Sequence, residues 1–370
     1  VDLQARNIEV YRDELWQLEF AAADFTLEGK FNHWSADWQI AQLNASDYLF
    51  DQLAGRIGYE QQQAYLQVEE LKLDPLTQQL TQDTRLPDVV RELIKDLAPG
   101  GSLTNLLITR DANGELELQA NLTDVRVNAW KGAPLGSGLH GWLQADAQGG
   151  EVIFADHSLK LGFPQLYSPV WNFSQAKGSV RWELEGEDLW VIGENLAVVL
   201  PIEELATKNV YVSGDFAYFY GPSDQRFYLN LGLLPTEALA HSQLVPDKLV
   251  KPQLLEWLNS ALLAGEVHQA GFIYAGSIQT SAAFQLVTDF SATDFKFQPD
   301  WPKLSQAKGQ VQVLDGWVKG EVSATNFGEG QLSNAWFNTF LNKTGDVELQ
   351  VVTEVQAPLE FFPWLVKRSP

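Results

Sequence analysis

Residues 305–322 read SQAKGQVQVLDGWVKGEV, and this stretch decides the fold. Val311 and Val313 alternate with glutamines, Asp315-Gly316 supplies the residues of a tight hairpin turn, and Val318, Gly320 and Val322 continue the return strand. The opening phrase Ser305-Gln306-Ala307-Lys308-Gly309 stands letter for letter at Ser174-Gln175-Ala176-Lys177-Gly178, followed by Val180 and Trp182. Weaker copies start at Gly55, with Ile57 and Tyr59, and at Gly141, with Leu143 and Ala145. A second phrase comes three times, as Ala23-Asp24-Phe25-Thr26-Leu27, Thr123-Asp124-Val125-Arg126-Val127 and Thr293-Asp294-Phe295-Lys296-Phe297. Recurring supersecondary units point to a degenerate array in which each copy covers its neighbour's apolar face.

Strand signals dominate the rest of the chain. Leu116, Leu118, Ala120 and Leu122 alternate after an Asn113-Gly114 turn, and Phe216, Tyr218 and Tyr220 reach Gly221-Pro222 before Phe227, Leu229, Leu231 and Leu233. Phe284, Leu286 and Phe290 share one parity while Phe295 and Phe297 have the other, so Ser291 to Asp294 is expected to hold a bend or bulge. Two segments break this rhythm. Residues 86–98 and 249–264 have helical spacing, each with a proline in its first turn and a glycine shortly beyond its end. Each leads into strands and then a Thr-Asp phrase, which suggests duplicated units over about 86–248 and 249–370. Trp336–Leu341 and Phe361–Val366 read as short helical caps or contacts to further sequence.

Composition narrows the function classes. Hydrophobic residues make up 45% of the 370, enough for a substantial core. The net charge of −23, with 25 basic residues scattered among 48 acidic ones, argues against nucleic acid and reads as a solubilising outer face. Cysteine is absent, which excludes disulfides and thiolate metal sites. No apolar run approaches the ~20 residues of a membrane-spanning helix, and no signal peptide is present. Methionine is wholly absent, initiator included, so the chain is expected to be a segment excised from a longer one.

Catalytic and metal motifs gain little support. Gly136-Ser137-Gly138-Leu139-His140-Gly141 matches a dinucleotide fingerprint, but Trp142 to Ala145 continue as a strand where that motif needs a helix, so the run reads as a turn. His33, His140, His157, His241 and His268 show no metal-ligand spacing. Asp24, Asp124 and Asp294 hold equivalent places in repeated phrases, which fits Asx turns at bends better than one catalytic centre. The aromatic stripes admit two readings, an ordinary closed core or a groove left open for an apolar ligand, and periodicity alone favours the first.

These phrases resemble the YhdP family of AsmA-like, TamB-related envelope proteins. The resemblance is clearest from Leu86-Pro87 to Gly101-Ser102-Leu103, in Val125-Arg126-Val127-Asn128-Ala129-Trp130-Lys131-Gly132-Ala133-Pro134, and in Leu254-Leu255-Glu256-Trp257-Leu258 with Gly265 and Gly271-Phe272-Ile273-Tyr274. It implies a mainly β fold: an elongated, twisted antiparallel sheet curved into an open apolar groove, with two amphipathic helical insertions. It further implies a non-enzymatic bridge-like transporter without cofactors, moving phospholipids across the Gram-negative periplasm. Its anchor would be an inner-membrane helix at an amino terminus that this chain lacks, and outer-membrane or envelope proteins are possible partners. On strand parity the residues expected to face the apolar interior are Phe25, Leu27, Ile57, Tyr59, Val125, Val127, Val180, Trp182, Phe284, Leu286, Phe290, Phe295, Phe297, Val311 and Val313. Two rivals share the strand pattern: an envelope scaffold with a filled core, and a carbohydrate-active β-repeat enzyme, for which no local pair of carboxylates is evident.

Overall fold

A computed structural model describes residues 2–12, 16–30, 33–45, 48–84, 88–130, 133–206, 208–248, 250–277, 282–297, 299–341 and 347–363. The chain is mainly β, its strands antiparallel and joined largely by hairpins. It divides into two units, residues 1–164 with 169–186, and residues 165–168 with 187–370.

The first unit contains β1 (Asp2–Arg12), β2 (Trp16–Lys30), β3 (His33–Ala45), β4 (Tyr48–Glu60) and β5 (Gln63–Lys72), then helices α1 (Leu73–Leu80) and α2 (Asp88–Leu97). It continues with β6 (Gly100–Arg110), β7 (Leu116–Val127), β8 (Leu135–Asp146), β9 (Gly149–Asp156), β10 (Lys160–Gly162), β11 (Val170–Asn172) and β12 (Gln175–Glu185). β1 to β9 pair in chain order and β12 pairs with β9. β8 changes partner along its length: Leu135–Ser137 pair with β10, and Gly141–Ala145 with β9. The glycine run at 136–141 is therefore not a turn but the interior of a strand, with Gly138 at φ 74° where the partner changes.

The second unit contains β13 (Asp188–Pro201), β14 (Asn209–Tyr220), β15 (Gln225–Leu233), β16 (Thr236–Glu237), α3 (His241–Leu244) and α4 (Pro252–Ala261). After these come β17 (Leu262–Ser277), β18 (Ala282–Phe295), β19 (Leu304–Leu314), β20 (Trp317–Phe327), β21 (Gly330–Leu341) and β22 (Val347–Gln356). β13, β14, β15 and β17 to β22 pair in that order, and β16 joins the start of β17. Residues 165–168 belong here because they dock beside α3. Tyr167 donates its hydroxyl to Leu244 O at 2.8 Å, and the Ser168 amide donates to Asp247 at 2.9 Å.

The first expected helix is preceded by another, α1, whose Leu73, Leu76 and Leu80 spacing and first-turn Pro75 carry the same signature. The second ends at Ala261, and residues 262–264 already belong to β17. Trp336–Leu341 is not helical but the end of β21. Residues 361–363 form a helical turn, and the remainder of that expected cap lies outside the described residues. The bend expected at Ser291 to Asp294 is present as two register shifts, between Phe290 and Thr293 and between Thr293 and Phe295, with Ala292 at φ 48°.

The two Thr-Asp segments that follow helices share a local design. Leu97 O, at the end of α2, accepts from the Asn128 amide at 2.7 Å, and Ala261 O, at the end of α4, accepts from the Lys296 amide at 2.8 Å. Four residues past each helix stands a positive-φ glycine, Gly101 or Gly265, so close to the Thr-Asp phrase that a Cβ would meet Asp124 O at 2.4 Å or Thr293 Oγ1 at 2.5 Å. A strand bulge lies beside each phrase, and Asp124 itself takes φ 50°. Asp294 accepts from Lys303 Nζ at 2.7 Å and from the Gln306 amide at 3.3 Å. Asp24 differs, lying in unbroken register between Gln4 and Gln39.

Candidate functional site

Cross-strand partners in a sheet point to the same side, so the registers trace rows of side chains across each unit. In the first unit one row runs Leu27, Ala36, Ile57, Leu66, Ile108, Leu118, Ala145, Gly150 and Trp182, apolar throughout. The row one residue over, on the other face, runs Thr26, Asp37, Arg56, Gln67, Leu107, Gln119, Gln144, Glu151 and Arg181. That outer row is tied by polar contacts, such as Arg56 Nε to Asp37 at 2.6 Å. One face of this sheet is greasy and the other wet.

Neighbouring rows on the apolar face place Phe25 beside Trp38, Leu143 beside Val152 and Val180, and Tyr59 beside Trp34. Val125 and Val127 return to this face after the bulge and pair with Leu139 and Gly136. Val68, Leu103, Leu106, Ala120 and Leu122 form the buried heart of the face, joined by Leu73 of α1. Toward the hairpin turns cover thins out: Leu27 and Ile57 are 42% and 40% exposed.

The second unit repeats the division. Leu286 pairs with Val313, which pairs with Val318, and the same row holds Gly214, Leu231 and Phe272. Phe284 shares a row with Tyr274, Leu229 and Phe216, Val311 with Gly320 and Phe337, and Phe290 with Gly309 and Val322. None of these positions is charged. The other face carries Gln269, Asp289, Gln310 and Glu321, where Asp289 accepts from Gln310 at 2.7 Å and also from Gln269.

Glycines sit opposite rings on these faces. A Cβ at Gly150 would meet the Trp182 ring at 2.4 Å, one at Gly193 the Phe216 ring at 2.2 Å, one at Gly320 the Phe337 ring at 2.4 Å, and one at Gly55 the Trp38 ring at 2.8 Å. Each ring lies across its partner glycine, a pairing that packs aromatic surface onto exposed backbone. The result is a low apolar surface rather than a bristle of upright rings. The residues named from strand parity are only part of it; Phe216, Phe227, Phe272 and Tyr274 carry the same period-two signal and belong to the same face.

At the helical end the apolar surface of the second unit is covered. The Trp257 ring of α4 meets Phe295 and Phe297 edge-on at 5.5 and 5.8 Å, and its Nε1–H donates to Phe297 O at 3.0 Å. Phe297 lies past the end of β18 and leads through Trp301 to Phe327 and Phe361. Phe295 and Phe297 thus face a helix, unlike Phe284 or Val311.

Large apolar side chains stay exposed among the described residues, Leu27, Ile57, Trp190, Ile273 and Trp317 among them. Val210 is the largest side chain buried to below 2% exposure among the described residues.

Polar chemistry is structural where it is visible. Asp156, buried at the end of β9, accepts from the amides of His140 at 2.7 Å, His157 at 2.6 Å and Ser158 at 3.0 Å, and lies 3.1 Å from His140 Nδ1. Burial opposes its charge, yet these donors outweigh it and hold the carboxyl below its usual range. Burial pushes the Tyr167 hydroxyl up to about 12. Among the described residues no group of three His, Asp or Glu is placed to hold a metal ion, and no helix is long and apolar enough to cross a membrane.

The family model described as YhdP protein matches residues 1–370. The chain is 19% identical over 328 residues to the intermembrane phospholipid transporter YhdP of Escherichia coli (strain K12), covering 86% of this chain and 25% of that protein. It therefore spans about a quarter of the length of the curated relative it matches. No solved structure matches.

Proposed function

This chain belongs to the YhdP family, and we propose that it is a stretch of a non-enzymatic conduit that carries phospholipid acyl chains across the periplasm between inner and outer membranes. The observation that carries the reading is the uncharged row from Leu27 to Trp182, set against a charged and polar row on the reverse face. Phe25, Leu27, Ile57, Tyr59, Val125, Val127, Val180 and Trp182 would line the path in the first unit. Phe284, Leu286, Phe290, Val311 and Val313 would do so in the second, with Phe295 and Phe297 at its helix-covered end.

The energetics suit such a surface. Two acyl chains of ~16 carbons cost on the order of 25 kcal/mol in water, at about 0.8 kcal/mol per methylene. A carrier must offset nearly all of that at every point, yet hold no point much more tightly than the next. A repeated apolar lining meets both demands, and headgroups left in water need no basic pocket. Segments of about 86–248 and 249–370 would be duplicated units that repeat the lining. Anchorage by an amino-terminal helix in the inner membrane, and envelope-protein partners, belong to the longer protein of which this would be a periplasmic segment.

The test is lipid extraction and mass spectrometry of the purified 370-residue chain, with a pyrene-labelled phospholipid titrated into the delipidated protein. Co-purified phospholipid and saturable labelling are expected. A lipid-free protein that takes up no label would leave the filled-core scaffold as the better account.

A further inference from the structure

Resting on the conduit reading, we propose that Arg110 contacts the phosphate of a lipid headgroup at the hairpin-turn rim of the first unit's apolar face. The rim row runs Trp34, Tyr59, Ala64, Arg110 and Leu116, the last before the turns at 60–63 and 111–115. Arg110 is two residues beyond Ile108, so it stands on the apolar side. In the traced rows of that face it is the sole charged residue, and the matching rows of the second unit have none.

Its surroundings leave the guanidinium available. The Arg110 side chain is exposed, and its guanidinium makes no hydrogen bond or ion pair with another described residue. The nearest carboxylate in sequence, Asp111, is engaged by the amides of Asn113 at 2.9 Å and Glu115 at 2.8 Å. Arg110 Nη2 lies over the turn, 3.1 Å from where a Cβ on Gly114 would be. Tyr59 and Trp34, half-buried in the same row, are amphipathic rings of the kind that settle where apolar and aqueous regions meet. An acyl chain on Ile57, Leu66 and Ile108 would bring its phosphodiester to this rim. Arginine's planar donors suit two phosphate oxygens at once.

Such a contact would fix lipid orientation, with headgroups emerging along the turn edge of the first unit. Free inorganic phosphate shares the chemistry, so the experiment separates the two. Pyrene-labelled phosphatidylglycerol and the matching labelled diacylglycerol are titrated into the wild-type chain, R110Q and R110K, with and without millimolar inorganic phosphate. Wild type is expected to prefer phosphatidylglycerol. R110Q should weaken that lipid about three- to tenfold, as an exposed charge-assisted contact warrants, and leave diacylglycerol unchanged, with R110K intermediate. Equal binding of phosphatidylglycerol by R110Q and wild type overturns the inference and leaves the conduit standing. Inorganic phosphate that abolishes the preference as fully as R110Q would mark a simple anion site, and also overturns it. If neither lipid binds any variant, the conduit reading fails and takes this inference with it.

Discussion

The Phe216 ring lies across Gly193 on the neighbouring strand, where a Cβ would sit 2.2 Å from its Cε1. Glycine here is the floor beneath a ring. Gly193→Val should lift Phe216 off the sheet and destabilise by about 1–3 kcal/mol, as overpacking does. Removing the ring as well, in Gly193→Val/Phe216→Ala, should cost less than the two single changes added together. Denaturant midpoints for the four proteins measure that coupling, and simple additivity would mean the ring and the glycine do not share their space.

The glycine of the repeated Ser-Gln-Ala-Lys-Gly phrase has a different reason. A Cβ on Gly309 would fall 1.8 Å from Glu321 O, a backbone atom that cannot swing aside. Gly309→Ala should therefore cost about 2 kcal/mol or more. Gly271, in β17, has an ordinary φ and open space for 4 Å around the place a Cβ would take, so Gly271→Ala should be neutral or stabilising by up to ~1 kcal/mol. Thermal unfolding of the pair checks the contrast.

Val180 and Val311 are half-buried and sit in apolar rows of the two units. Val180→Asp or Val311→Asp should cut uptake of labelled phospholipid at least tenfold, since a carboxylate beside an acyl chain is poorly solvated. Far-UV circular dichroism should stay unchanged because neither side chain is fully enclosed. Normal uptake by both folded variants would remove these positions from the lipid path.

The sequence makes some elements plain and hides others for physical reasons. The hairpin from Val311 to Val322 is legible because alternation and Asp315-Gly316 agree, and both turn residues take positive φ. Trp336–Leu341 misleads because Trp336, Phe337, Phe340 and Leu341 also suit a helix face. In the fold, Asn334 at φ 51° and a register shift between Ser333 and Trp336 alter the parity of β21. Cover by Trp257 is invisible in the sequence because it joins residues 40 apart, through a helix whose docking no period encodes. Ring-on-glycine pairs depend on register between strands, which composition does not set.

Acid should loosen the β8–β9 junction through Asp156. The amides around Asp156 favour its charged form in the folded protein, so its carboxyl titrates lower there than in the unfolded chain. The stability it contributes is present above the unfolded value, about pH 4, and is lost as pH falls through the lower folded one. Asp156→Asn should cost about 1–3 kcal/mol at pH 7, and the gap from wild type should narrow as acid carries the pH below the unfolded value and through the lower folded one. A gap that stays constant throughout the acid titration would show that the charge is not what the amides hold.

Helix α4 is docked largely through the Trp257 side chain, while its last carbonyl, Ala261 O, accepts from the Lys296 amide. The indole makes two edge-on ring contacts and one hydrogen bond, all to the segment Phe295–Phe297. The helix has only ten residues, too few to be stable in water without docking. Trp257→Ala removes the ring contacts, worth about 0.5–1.5 kcal/mol each, together with the hydrogen bond. Local opening of α4 should then become at least tenfold more frequent, while strands β18 to β20, held by their own ladders, open at their former rate. Amide hydrogen exchange read residue by residue distinguishes these outcomes. Acceleration confined to 252–261 is expected; uniform acceleration across the second unit would mean that Trp257 belongs to the common core, and none at all that α4 is fastened elsewhere.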